Sequence, residues 1–336
     1  MVTLSDVAAR AGVSVSAVSR VLSDAPSARV SEATRQRIRD IAAELDYRPN
    51  FAGRALKLAR SNVIALIVPD LTNAVFTELM QGVEDEALAN DYLVLLGRAE
   101  GMQPGGDTIR KLVGEGRVDG LLVQVGDTVT PADLQQMLDG PAPVVFINSI
   151  EPGHSGSVAL QDALGARLGT QHLIGLGHRR IGLIGGAGSS YTAQQRRAGF
   201  LATMAEAGLA VGPEHITELG YSPEQGRAAL EAIMKTHAPP TAVFVANVNA
   251  AIGVLAAART LGVRVPEQLS VVAMHDAWTV ENSWPPLTTV KMPLYDLGRR
   301  AFRAIHDRLR GREVIDIVVD DRPPMLMLRE STAPPA

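Results

Sequence analysis

Hydrophobic and polar positions follow two different rhythms along this chain, and the change falls near residue 60. Before it, apolar residues recur at helical spacing in short bursts. Leu4, Val7, Ala8 and Ala11 make one stripe, and Ala17, Val18, Val21 and Leu22 a second. Ile38, Ile41, Ala42 and Leu45 make a third, on a helix that begins near Ser31. Thr3 stands as N-cap of the first helix with Asp6 three residues on, an approximate capping box. Gly12-Val13 supplies the turn, because glycine tolerates the positive φ that ends a helix, and Ser14 caps the second helix. Two short helices joined by a tight glycine turn and braced by a third form the helix-turn-helix pattern.

From Asn62 onward the rhythm becomes one of near-continuous apolar runs separated by helical stretches. NVIALIV, YLVLLG, GLLVQV, PVVFIN, RIGLIGG, TAVFVA, LSVVAM and VIDIVV read as strands, and 74–90, 161–176, 191–207 and 248–260 as helices. Strands apolar on both faces and alternating with helices predict buried parallel sheets covered by helices. The expected fold is thus an all-α head followed by an α/β core of two parallel-sheet subdomains. Crossings between the subdomains are expected near 148–160, 287–293 and 320–325, with a ligand cleft at the strand C-termini. The domain reading is 1–48 for the head, 49–60 for a hinge segment and 61–336 for the core.

Charge sharpens this division. The chain carries a net −4 over 336 residues, yet residues 1–60 hold ten Lys/Arg against six Asp/Glu. A basic head on an acidic body points to a polyanionic partner for the head. There are no cysteines, which removes disulfides and thiolate metal sites, and no cofactor is expected. The N-terminal stretch MVTLSDVAARAG lacks a basic region followed by a long apolar one, and no apolar run approaches bilayer length; the expected location is the cytoplasm.

In a helix-turn-helix the second helix enters the major groove N-terminus first. Val15, Ser16 and Arg20 lie off its apolar stripe and face the bases. Arg20 suits bidentate bonding to guanine, Ser16 either base type, and Val15 a thymine methyl. Thr3, Ser14 and Ser19 are expected to hold phosphates with the helix N-terminal amides, and Tyr47 and Asn50 to add backbone contacts. A small protein-interaction hairpin is the alternative for the head.

The stretch TLSDVAARAGVSVSAVSRVLSDAPSARVSEATRQRIRDIAAELDYRPNFAGRAL resembles the head of the lac repressor (LacI/GalR) family throughout its length. The resemblance implies that PNFAGRALKL, residues 49–58, is the hinge that becomes helical on operator DNA. Leu56 then matches the leucine that pries open a base step in the minor groove, at a cost recovered by wider contact. Gly53 stands where the family has a better helix former, which lowers the free hinge's helicity further. The loop DAPSAR is slightly longer than usual for the family.

Beyond residue 60 the similarity is to the family's core, which is like a type I periplasmic binding protein. It rests on PDLTNAVFTELMQGVE, HLIGLGHRRIGLIGG, RRAGF, VPEQLSVVAMHD and PPLTTVKMP. It implies an effector cleft lined by Asn73, Phe76, Asn148, Arg196, Tyr221, Asn247, His275, Asp276 and Trp278, with Phe76 stacking and Arg196 clamping oxygens. The alternative reading is core for Phe76 and Tyr221 and a surface charge for Arg196, while His178 reads as a structural helix-end residue and not a ligand. The chain departs from the family in VANVNAAIG, where Val248 replaces an acid that bonds effector hydroxyls or amines. An effector less dependent on a carboxylate follows from that change.

These readings converge on a dimeric, DNA-binding transcription regulator, a repressor controlled by a carbohydrate or related metabolite. The tail RESTAPPA is too short and proline-rich for a tetramerisation coil. Two rivals remain on the residues alone. An enzyme would use GLIGGAGSS as a dinucleotide loop, but its glycines are out of phase with G-x-G-x-x-G. A solute receptor would share the core's architecture without the head.

Overall fold

In a computed structural model, the residues described are 2–22, 30–48, 60–99, 107–126, 135, 138–140, 142–150 and 154–336. They divide into a unit within 1–61 and a unit spanning 62–336.

The smaller unit contains α1 (Leu4–Ala11), α2 (Val15–Leu22) and α3 (Glu32–Glu44). Thr3 Oγ1 accepts from the Asp6 N–H at 3.3 Å while Asp6 Oδ2 accepts from the Thr3 N–H at 2.8 Å, so two orphan donors at the start of α1 are satisfied reciprocally. Gly12 closes α1 at φ 62°, a left-handed conformation that carries no steric cost without a Cβ. Ser14 Oγ accepts from the Ala17 N–H at 3.2 Å and starts α2. Val7, Ala8, Ala11, Val18, Val21, Ile38 and Ala42 are buried together between the three helices. Tyr47 packs at the edge of that core.

The larger unit is built from two parallel sheets. The first carries β1 (Val63–Val68), α4 (Phe76–Leu88), β2 (Leu93–Arg98), α5 (Asp107–Gly114), β3 (Gly120–Val123) and β4 (Val144–Phe146), in strand order β2-β1-β3-β4. The second carries α6 (Asp162–Gly175), β6 (Ile181–Gly185), α7 (Tyr191–Glu206), β7 (Ile216–Glu218), α8 (Pro223–Ile233), β8 (Ala242–Val245), α9 (Val248–Thr260), β9 (Ser270–Met274), α10 (Trp278–Glu281) and β10 (Thr288–Lys291). Its order is β12-β10-β9-β8-β6-β7, where β12 (Met325–Met327) runs antiparallel to β10. Two short strands, β5 (Val158–Ala159) and β11 (Ile317–Val318), pair with each other outside both sheets.

The chain passes between the lobes three times. It leaves the first after β4, and it returns with α11 (Leu294–Leu309), which packs on α4, β3 and β4. It crosses again between β11 and β12. Strands β1, β3, β8 and β9 are buried almost throughout, which explains their unbroken apolar sequence. VIDIVV shortens to a two-residue strand, and β5, β7 and β12 are too brief to leave a periodic signal.

Helices α4 and α11 meet backbone to backbone. A Cβ at Gly298 would stand 2.3 Å from the Leu79 carbonyl oxygen, and one at Gly82 2.1 Å from that of Tyr295. Beside this contact Glu86 accepts from Arg299 Nε and Arg303 Nε, each at 2.8 Å. This pairing anchors the returning helix to the first lobe, which places Leu294 and Leu297 at the cleft.

Candidate nucleic-acid interface and ligand cleft

On α2, Val18 and Val21 face inward, while Val15, Ser16 and Arg20 are exposed on the other side, Val15 at 44%. The periodicity that buries one stripe of an eight-residue helix leaves the opposite stripe for a partner. Ser14 is partly committed to its cap and lies 3.0 Å from the Ser16 hydroxyl, and the Thr3 hydroxyl donates to Asp6 Oδ2 at 2.8 Å. Ser19 flanks this face. Asn50, Gly53 and Leu56, with the whole DAPSAR loop, lie outside the described residues.

In the larger unit a cleft of about 580 Å³ opens where strand C-termini from both sheets converge. Asn73, Phe76, Asn148, Arg196, Tyr221, Asn247 and His275 all line it. Phe76 is also a core residue, so its two readings are compatible. Asp276 and Trp278 do not line it. Both His275 and Asp276 follow the end of β9, and the left-handed turn at His275 carries the next residue away from the cleft. Asp276 accepts from Arg329 Nη1 at 2.8 Å and from Thr289 Oγ1 at 2.6 Å, tying β9 and β10 to the C-terminal segment. Trp278 is 69% exposed at the start of α10.

Arg196 is no surface charge. Its side chain is 3% exposed, and its Nε donates to Asp162 Oδ1 at 2.7 Å. Nη1 donates to the Ala246 carbonyl at 2.6 Å and Nη2 to His275 Nε2 at 2.8 Å, with Tyr221 stacked 5.4 Å from the guanidinium. Burial opposes the Arg196 charge, but Asp162 and Tyr221 beside it together outweigh that and hold the guanidinium above its ordinary value. His275 is pushed the other way. Burial first, and the Arg196 charge second, hold its imidazole well below the ordinary range, so it is neutral. Arginine has no acceptor, so the His275 proton sits on Nδ1. His275 reaches this position at φ 70° and Asn148 at φ 50°, left-handed conformations that turn both out of their strand directions.

Asp162 was not legible as a site residue. It is a first-turn acid of α6 like many others, and only the packing of α6 against α7 places it under Arg196. Gln124, Gln225 and Asn249 also line the cleft without any sequence signal to mark them. His178 bonds Thr241 Oγ1 at 2.8 Å and the Ala333 carbonyl at 2.9 Å, and so fastens the C-terminal segment. Among the described residues, no group of three or more His, Asp or Glu is placed to hold a metal ion, and no helix is long and apolar enough to cross a membrane.

Residues 3–50 match the family described as "Bacterial regulatory proteins, lacI family", and residues 170–332 a "Periplasmic binding protein-like domain". The chain is 32% identical over 313 residues to the HTH-type transcriptional repressor CytR of Escherichia coli K12, covering 93% of this chain and 91% of that protein. A crystal structure of a LacI family transcriptional regulator from Mycobacterium smegmatis superposes with a TM-score of 0.77 at 41% identity, covering 81% of this chain and all of that one. The lac repressor dimer bound to operator and the anti-inducer ONPF superposes at 0.81 with 28% identity, covering 99% of each chain. These relatives are transcription regulators. With its capped helix-turn-helix, its two parallel-sheet lobes and relatives matched over nearly its whole length, this chain belongs to the lacI family of DNA-binding transcription regulators.

Proposed function

We propose that the protein is a cytoplasmic repressor that binds a pseudo-palindromic operator as a homodimer and is controlled by a small molecule bound in the cleft. The observation that carries this is the joining, in one chain, of an exposed base-reading stripe on α2 to a ligand-sized cleft floored by buried Arg196.

Val15, Ser16 and Arg20 read base edges, while Thr3, Ser14, Ser19, Tyr47 and Asn50 hold the backbone. Leu56 wedges into the minor groove beside Gly53. Asn73, Phe76, Asn148, Arg196, Tyr221, Asn247 and His275 bind the effector. A second copy of the chain covers β2, an edge strand whose Leu93, Leu95 and Leu96 are 61%, 37% and 44% exposed. Effector binding between the lobes alters how the two hinges are held apart, and so their ability to fold together on DNA. Coupling of this kind is typically about 1–3 kcal/mol, or roughly 5–150-fold in affinity.

Selection of bound DNA from a random pool, followed by titration at several salt concentrations, tests the reading. A two-fold symmetric consensus and a steep fall of affinity with salt are expected, because neutralised phosphates release counterions. Binding without symmetry or salt dependence would overturn it in favour of a solute receptor.

A further inference from the structure

The polar groups of the cleft are divided unequally between donors and acceptors. Asn73 Oδ1 accepts from the Val75 N–H at 3.2 Å, Asn148 Oδ1 from the Leu160 N–H at 2.9 Å, and Asn247 Oδ1 from the Asn249 N–H at 2.7 Å. A backbone N–H can only donate, so the orientation of all three amides is set: oxygen to the chain, NH2 away from it. The three residues are 4–7% exposed, yet none of their Nδ2 atoms is among the buried atoms lacking a partner. These NH2 groups therefore open onto the cleft that the residues line. At its margin Gln225 repeats the pattern, its Oε1 accepting from the Ser222 N–H at 2.9 Å.

The floor continues the bias. His275 accepts from Arg196 through Nε2, which leaves Nδ1–H as a buried donor with no partner among the described residues. Carboxylates are scarce. Asp162 is bound to Arg196 through Oδ1, its Oδ2 being a buried acceptor without a partner among the described residues; Asp276 is bound to Arg329, and Val248 is buried and apolar. Asp70 lines the cleft, and its Oδ1 already accepts from the Thr72 N–H and hydroxyl at 2.8 and 2.7 Å. The Arg196 charge is balanced internally, so it sets up no demand for an anion.

We infer that the cleft selects a neutral ring compound through carbonyl oxygens or ring nitrogens on the ligand, a lactam, lactone or N-acyl compound in place of a plain polyol or an amine. The inference rests on the reading of this cleft as the effector site. A ligand acceptor meets an open N–H and leaves nothing unpaired. A ligand hydroxyl can accept from the same group, but its own proton then needs an acceptor, which side-chain hydroxyls, Asp70 and the Gln124 and Asn249 amide oxygens supply, while the committed amides supply donors. An ammonium group meets donors and Arg196. Each unpaired buried group lowers affinity by roughly tenfold or more.

The test uses the full-length protein and three sets of probes, screened by thermal shift and measured by calorimetry. Uridine, N-acetylglucosamine and gluconolactone carry acceptors; ribose, glucose and arabinose are polyols; glucosamine and spermidine are amines. The same measurements are made on Asn148→Asp and Asn247→Asp, which keep the oxygen that the backbone binds and replace the cleft-facing NH2 with an acceptor. Two separate variants guard against one that does not fold. The expected result is binding confined to the acceptor-bearing set, weakened at least tenfold in each folded variant. Preferred binding of polyols or amines, weakened by the variants, overturns this inference and leaves the effector site standing. Binding unaffected by both variants, or no binding by any set, overturns the effector site as well.

Discussion

Asp162 and His275 decide the behaviour of Arg196, and each supports a separate prediction. Asp162→Asn leaves a buried guanidinium without its counter-charge, and removing one partner of such a pair costs about 3–5 kcal/mol. Urea unfolding of the full chain checks this; a loss below about 1 kcal/mol would show that the pair is not buried in solution. His275 has its folded pKa depressed below the ordinary 6.5 by burial and by Arg196. Between those two values the unfolded chain binds more protons than the folded one, so stability rises with pH in that window. It is fully present above about pH 6.5 and is lost as the pH falls below that. His275→Gln, which cannot titrate, is expected to flatten the drop in melting temperature between pH 7.5 and 5.5. His172 and His178, whose pKa values burial also lowers, leave a residual slope in the variant. At the other end of the chain, Arg20→Ala is expected to cost about 1–3 kcal/mol of operator binding and to relax preference at one base pair. A uniform loss across all sequences would assign Arg20 to the phosphates.

At the scale of elements, the helices were legible because their signals are local. Thr3, Gly12 and Ser14 mark starts and stops within a few residues, and the helices near 162, 191 and 248 fill the stretches between apolar strand runs. The contact between α4 and α11 was not legible, because Gly82 and Gly298 are separated by more than two hundred residues and look like ordinary helix-weakening glycines. Gly298→Ala would force its Cβ against the Leu79 carbonyl, a backbone atom that cannot rotate away. A loss of about 1–3 kcal/mol is expected, measured by urea unfolding. An unchanged midpoint would mean that the two helices slide apart freely. The strands near the C-terminus were overread: the apolar run VIDIVV suggested a core strand, whereas Ile315 and Val318 are exposed and only Ile317–Val318 pair.

At the scale of the whole molecule, a basic head and an acidic body serve two different partners, and an exposed apolar edge on β2 invites a third, the second protomer. Sedimentation is expected to give the mass of two chains. Leu93→Lys places a charge on that edge and is expected to shift the mass toward one chain, with a steep loss of operator affinity, since the two half-sites then bind separately. A dimer unaffected by Leu93→Lys would move the interface to another face.

The sequence by itself determined the class of every large part. Short capped helices, a basic head, two-sided apolar strands and the matching motifs are all set by neighbours in the chain, and local physics reads them without a structure. What the tertiary structure decided is the chemistry of the cleft. Only folding brings Asp162 beneath Arg196, turns His275 inward while Asp276 pairs with Arg329, and commits three asparagine oxygens to backbone N–H groups. Those arrangements depend on which polar groups satisfy one another across long separations in the chain. A burial requirement of that kind has no period and no motif, because its partners are chosen in space and not along the sequence.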